Sequence, residues 1–152
     1  MSKATKELVR QHQECDDQLT RSETALQKGE VSSAISHFRL FSEQLDSHFR
    51  LEEERLFPAF EKATGMSQGP TQVMRGEHAD IRTLRDEAYA AMTNGQTAAA
   101  LAAIDTLNVL IQQHNVKEEN VLYPLCAERI ADLDTSLGMN TGSPCCGACS
   151  CG

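Results

Sequence analysis

The chain has no tryptophan, and its aromatic residues make up only 5% of 152 positions. Its apolar content rests instead on Ala and Leu, which with the many Glu and Gln residues favour helix. Runs of β-branched residues are scarce, so no segment reads as a strand. Lys and Arg never cluster, and the formal charge is −8, which argues against nucleic acid or an anionic membrane as a partner. No run of about 18 apolar residues occurs to span a bilayer. The opening MSKATKELVRQH lacks the apolar stretch of an export signal. Cytoplasm is therefore the expected location, with the six cysteines reduced there. Neither a nucleophile–base pair nor a phosphate loop is legible.

What is present is a repeat. HFRLEEERLFPAF from His48 has a counterpart in HNVKEENVLYPLC from His114, 66 residues later, and the same offset pairs His12 with His78 and Gly29 with Gly95. The chain reads as two halves of one plan, about 3–65 and 70–134. Each half is helix, Gly-marked turn, helix: 3–28 and 30–63, then 70–93 and 96–134. Between the halves, Gly65 to Pro70 is a breaker cluster with Pro placed to open a helix. Ile35, Phe38, Phe41 and Leu45, and then Leu101, Ile104, Leu107 and Ile111, form core-facing stripes. Four helices joined by short turns predict an all-α, antiparallel up-down-up-down four-helix bundle over 1–136. Pro58 and Pro124 are expected to remove one helical hydrogen bond each and bend their helices near the end.

His12 lies 17 residues before Gly29 and His48 lies 19 after it; His78 and His114 stand in the same relation to Gly95. On antiparallel helices these residues reach nearly the same height. His48 and Glu52, and likewise His114 and Glu118, are four apart and project from one helix face. Four imidazoles and two carboxylates thus converge in a core where unpartnered polar groups would each cost several kcal/mol. Metal ions remove that cost. The set suits a dinuclear site in which Glu52 and Glu118 bridge and each ion takes two His, with a position left for a small molecule. Nitrogen and oxygen donors with an open position favour iron over manganese or zinc. His37 pairs with Ala103 and lies about three turns from His48, so it is read as a non-ligand. Glu53 and Glu119 lie about 100° further round their helices and are read as solvated or as supporting the ligands.

At these residues the chain resembles the haemerythrin-like, HHE cation-binding family. One His stands on the first helix, HxxxE on the second, one His on the third and HxxxE on the fourth, with the wording HxxxEExxLFP from His48 to Pro58. The resemblance covers about residues 5–133 and implies a bundle holding an oxo-bridged di-iron centre. Its ligands would be His12, His48, Glu52, His78, His114 and Glu118. Oxygen-carrying members have a further His one turn before the third-helix ligand, where this chain has Met74, and space the last His and carboxylate by five rather than four. The pattern is closer to the repair-of-iron-centres branch, whose members carry a separate N-terminal domain that these residues do not include. The resemblance implies O2, NO or peroxide as ligand, for sensing, scavenging or iron handling under oxidative or nitrosative stress. Rival roles are an iron donor to an iron-accepting protein and an enzyme that turns over NO or peroxide with an electron donor. Ferritin-like bundles use Glu-x-x-His and more acids, and do not match.

Cys15 and Cys126 align with Ile81 and Phe60 in the repeat and are read as small core residues, Cys15 being one turn from His12. The segment 137–152 has no counterpart in the first half. It is rich in Gly and Ser and places Cys145, Cys146, Cys149 and Cys151 within seven residues. Such a composition predicts a disordered tail. Its thiolates suit a soft metal such as Zn or Cu(I), or reversible disulfides.

Overall fold

The computed structural model describes residues 2–139. Its helices are α1 (Lys3–Gln27), α2 (Val31–Leu51), α3 (Phe57–Thr64), α4 (Pro70–Thr93), α5 (Thr97–Lys117), α6 (Tyr123–Arg129) and α7 (Leu133–Ser136). Two five-residue π-helical turns, Glu52–Leu56 and Glu118–Leu122, join α2 to α3 and α5 to α6. The result is four long antiparallel helices, with no strand among the described residues. No helix there is long and apolar enough to cross a membrane. The expected bundle is therefore observed; the expectations for the tail cysteines lie outside the described residues.

Both hairpin turns are closed by glycine. Gly29 and Gly95 have φ of 79° and 73°, a conformation that L side chains adopt only under strain. The following amides, of Glu30 and Gln96, donate to Ala25 O and Ala91 O at 2.9 Å, satisfying carbonyls at the helix end. Ser2 caps α1 by accepting from the Thr5 N–H at 3.1 Å.

Pro58 and Pro124 each come just after a π-helical turn. Proline has no N–H to give the preceding turn, and the chain absorbs the loss in a wider turn that begins at Glu52 or Glu118. Phe57 N–H donates to Glu52 O, and Tyr123 N–H to Glu118 O, each five residues back. Such insertions re-aim the side chains around them.

The last long helix also ends sooner than its apolar spacing suggests. Cys126, Ile130, Leu133 and Leu137 would suit one continuous helix, yet Ile130 is extended at φ −97°, ψ 118°. Asp132 then caps α7, accepting from Thr135 N–H. The break folds Leu133 and Leu137 over the bundle end, where both are buried. It also brings Asp134 Oδ1 to the Ala4 N–H, at 2.8 Å, as a second cap on α1.

Two apolar clusters fill the interior. One, near the glycine turns, contains Leu19, Phe38, Phe41, Leu45, Ile104, Leu107 and Ile111. The other, at the opposite end, contains Leu8, Leu56, Phe57, Phe60, Met74, Leu122 and Leu137. Between them runs a layer of buried polar side chains.

Candidate metal centre

His12, His48, Glu52, His78, His114 and Glu118 form that layer, each at most 4% exposed. Their donor atoms fall into two groups, His12, His48, Glu52 and Glu118, and Glu52, His78, His114 and Glu118. Within each group the atoms lie within 4.8 Å of one another, and the two carboxylates belong to both.

Every imidazole is turned the same way. Nδ1–H of His12 donates to Glu119 Oε2 at 2.7 Å, and that of His78 to Glu53 Oε2 at 2.6 Å. Nδ1–H of His114 donates to Glu77 Oε1 at 2.8 Å, and that of His48 to the Gln11 amide oxygen at 2.7 Å. Four acceptors on Nδ1 fix the proton there and leave each Nε2 facing the shared carboxylates. Glu53 and Glu119, which the sequence left between solvent and a supporting role, thus hold the imidazoles of His78 and His12.

Charge follows the geometry. Burial works against a charged His48, but Glu52 and Glu118 outweigh it and raise the imidazole to about 10. His114 is likewise opposed by burial and raised to about 9, chiefly by Glu118 and Glu52. Burial pushes Glu118 up, yet the imidazoles of His114, His12 and His48 beside it hold it well below the usual carboxylate range.

The atoms that fail to pair are the most informative. Glu52 Oε1, His78 Nε2, His114 Nε2 and Glu118 Oε2 are buried without a hydrogen-bond partner. His78 Nε2 lies 3.1 Å from Glu52 Oε1, and His114 Nε2 lies 3.2 Å from Glu118 Oε2. These separations are short enough for bonds, but the directions are wrong for them. The four atoms come from the four residues of one donor group. Buried polar atoms are seldom left so, and four around one point form the donor set of a cation.

The other group has an oxygen at its centre. Tyr123 Oη donates to Glu52 Oε2 at 2.5 Å and lies 2.9 Å from Glu118 Oε1, 3.2 Å from His12 Nε2 and 3.4 Å from His48 Nε2. Burial, and then Glu118 and Glu52, hold its phenol well above its ordinary pKa, so it stays a donor. Its repeat partner is Phe57, which has no hydroxyl and packs its ring 5.5 Å from His78.

The family model described as "Hemerythrin HHE cation binding domain" matches residues 3–126, most of the chain. The chain belongs to the haemerythrin family. No curated protein and no solved structure gives a significant match. A cation-binding family and a buried His and Glu donor set agree on a metal centre, of the kind that in haemerythrin domains is typically iron.

The remaining sequence candidates lie elsewhere in this haemerythrin fold. His37 is half-buried and its Nδ1–H donates to Gln18 Oε1 at 2.9 Å, away from the centre. Cys15 and Cys126 are buried free thiols. Burial pushes both up to about 12, which leaves them protonated. Sequence reading passed over Gln11, Glu77 and Tyr123. A polar residue before His12 and before His78, and the mismatch of Tyr123 with Phe57, were the available signals.

Proposed function

We propose that the chain is a di-iron protein in which His12 and His48 hold one ion, His78 and His114 the other, and Glu52 and Glu118 bridge them. The reading is carried by the four buried donor atoms without a hydrogen-bond partner at the His78/His114 position, and by the matching group of His12, His48, Glu52 and Glu118 for the second ion. When bound, iron in such a site supplies redox chemistry and an open position for O2, NO or peroxide. The residues themselves orient the Nε2 lone pairs, hold the protons on Nδ1 and exclude water from the centre.

Reversible oxygen carriage is not favoured. Met74 stands where the oxygen carriers have another His, and it is 4% exposed in the apolar cluster beside Phe57. Four imidazoles then serve two ions, leaving both open to chemistry, as suits sensing or scavenging under oxidative or nitrosative stress in the cytoplasm. Donation of iron to a damaged iron–sulfur protein, as in the repair-of-iron-centres branch, is a second reading on the same four-imidazole set. Cys145, Cys146, Cys149 and Cys151 would add a soft-metal or thiol site beside either role.

Metal per chain, by elemental analysis of protein purified without chelator or affinity metal, is the test. About two irons are expected, in the full chain and in one ending at Ser143 alike. Little iron, or zinc or copper lost with the tail, would move the function to the cysteines.

A further inference from the structure

The internal repeat offers a control that few proteins supply: each feature on one side of the centre has a counterpart at the same fold position on the other. A cavity of about 360 Å³ lies between α1 and α6, lined by Thr5, Glu119, Tyr123, Pro124 and Ala127. Its inner wall is made of the two groups that touch His12, Glu119 at Nδ1 and Tyr123 near Nε2. The repeat places Thr71, Glu53, Phe57, Pro58 and Glu61 at the matching positions.

There the opening is crossed. Glu61 stands where the first side has Ala127, and its Oε2 accepts from Thr71 Oγ1 at 2.7 Å and lies 3.5 Å from Arg75. The Arg75 guanidinium also covers the Phe57 ring at 5.3 Å and donates to Glu53 O at 3.4 Å. Val9 takes the place of Arg75 on the first side and can do none of this. Thr5 does not reach across either, because its hydroxyl donates to Ser2 O at 3.0 Å.

On the di-iron reading above, we propose that small ligands enter through the cavity beside Ala127 and engage the His12/His48 side of the centre, with Tyr123 and Glu119 as the gate. The ligand is small and uncharged. No cation lines the passage, Glu119 is its one ionisable wall residue besides the Tyr123 phenol, and the overall charge of −8 repels anions. Thr5 offers no free hydroxyl hydrogen to a polar guest, and Pro124 and Ala127 offer none. Tyr123 is 1% exposed, so its ring must turn aside before anything passes. That requirement favours a diatomic molecule over a larger one. The Tyr123 hydroxyl, at the centre of this donor group, is placed to meet an oxygen or nitrogen atom of a guest that has passed the gate.

The experiment is nitric oxide association with the reduced, iron-loaded full chain, followed by absorbance after rapid mixing, with iron content measured on each sample. Ala127→Phe is expected to slow association by about ten-fold while keeping two irons, and Ala127→Leu by less. Glu61→Ala is expected to leave the rate unchanged, because Phe57 and Arg75 still close the opening that matches the Ala127 cavity. Unaltered rates in both Ala127 variants, with iron retained, overturn the proposal and leave the di-iron reading standing. A rate that rises in Glu61→Ala moves the entry to the other side and overturns it as well. A wild-type chain without iron defeats the underlying reading, and the proposal with it.

Discussion

On the His78/His114 side each imidazole leans on a carboxylate that a cation in turn holds. Arg82 donates to both oxygens of Glu53, at 2.8 and 3.1 Å, and Lys117 pairs with Glu77. Burial opposes both carboxylates, but Arg82 and His78 bring Glu53 below its ordinary pKa, and Lys117 and His114 do the same for Glu77. On the His12/His48 side the counterparts of Arg82 and Lys117 are Asp16 and Leu51, and that of Glu77 is the neutral Gln11. Burial raises Asp16, and the neighbouring Glu119 adds to the rise. Phe49 stacks on His78 with ring centroids 3.6 Å apart, whereas the repeat puts Asn115 at the corresponding place. One side is thus braced and neutralised, and closed at the position matching Ala127, though a cavity of about 150 Å³ still reaches His114. The other has a hydroxyl, a larger cavity beside Tyr123 and an unbalanced carboxylate. A duplicated plan lets two donor groups stay equal while what surrounds each of them diverges.

The sharpest break of the comparison removes what both sides share. Glu52→Ala or Glu118→Ala is expected to cost most of the bound metal at both positions, as read by elemental analysis; full metal content in both variants would contradict the bridging assignment. Next is the hydroxyl that only one side owns. Tyr123→Phe takes the partner from Glu52 Oε2 and His48 Nε2, while His12 Nε2 keeps Glu118 Oε1, and should cost about 1–3 kcal/mol in the chelated protein by denaturant unfolding. Adding a hydroxyl with Phe57→Tyr should move stability the opposite way.

Arg82→Met tests the bracing. Loss of the cation behind Glu53 should weaken metal retention by about ten-fold in a chelator competition, while Asp16→Asn on the unbraced side should change it little. Protons offer a gentler probe. His48 and His114 rise in the fold from 6.5 to about 10 and about 9. Their contribution to the chelated protein is therefore complete below about pH 6.5 and is lost as pH climbs through 9 to 10. The thermal midpoint without metal should fall across that window. Smallest is the turn: Gly95→Ala meets no atom within 4 Å, so only its backbone strain, about 1 kcal/mol, should register.

Much of this was legible in the sequence because helical spacing and the repeat speak to the same residues. Phe38, Phe41, Leu45, Ile104, Leu107 and Ile111 are buried as their spacing requires. His12, His48, Glu52, His78, His114 and Glu118 converge as the distances from Gly29 and Gly95 imply. Tyr123 escaped because α-helical geometry puts it about 140° round from Glu118. The π-turn brings that fifth residue back beneath the first, and its hydroxyl to 2.9 Å from Glu118. The end of the last long helix escaped for another reason. Ile130, Leu133 and Leu137 keep helical spacing on either side of a break, and burial over the bundle end overrides local preference there.

The polar layer has a mechanical consequence as well. It divides the interior, so the cluster of Leu19, Phe38 and Ile104 and the cluster of Leu8, Phe60 and Leu137 are separate bodies of apolar packing on the same four helices. Amide exchange should then resolve two cooperative units instead of one. The half containing α3, α6 and α7 relies on short helices and the Asp134 cap on α1, and should open first. Metal ions held by Glu52 and Glu118 would act as a rivet between the units, and removing them would loosen that far end before the glycine turns feel the change.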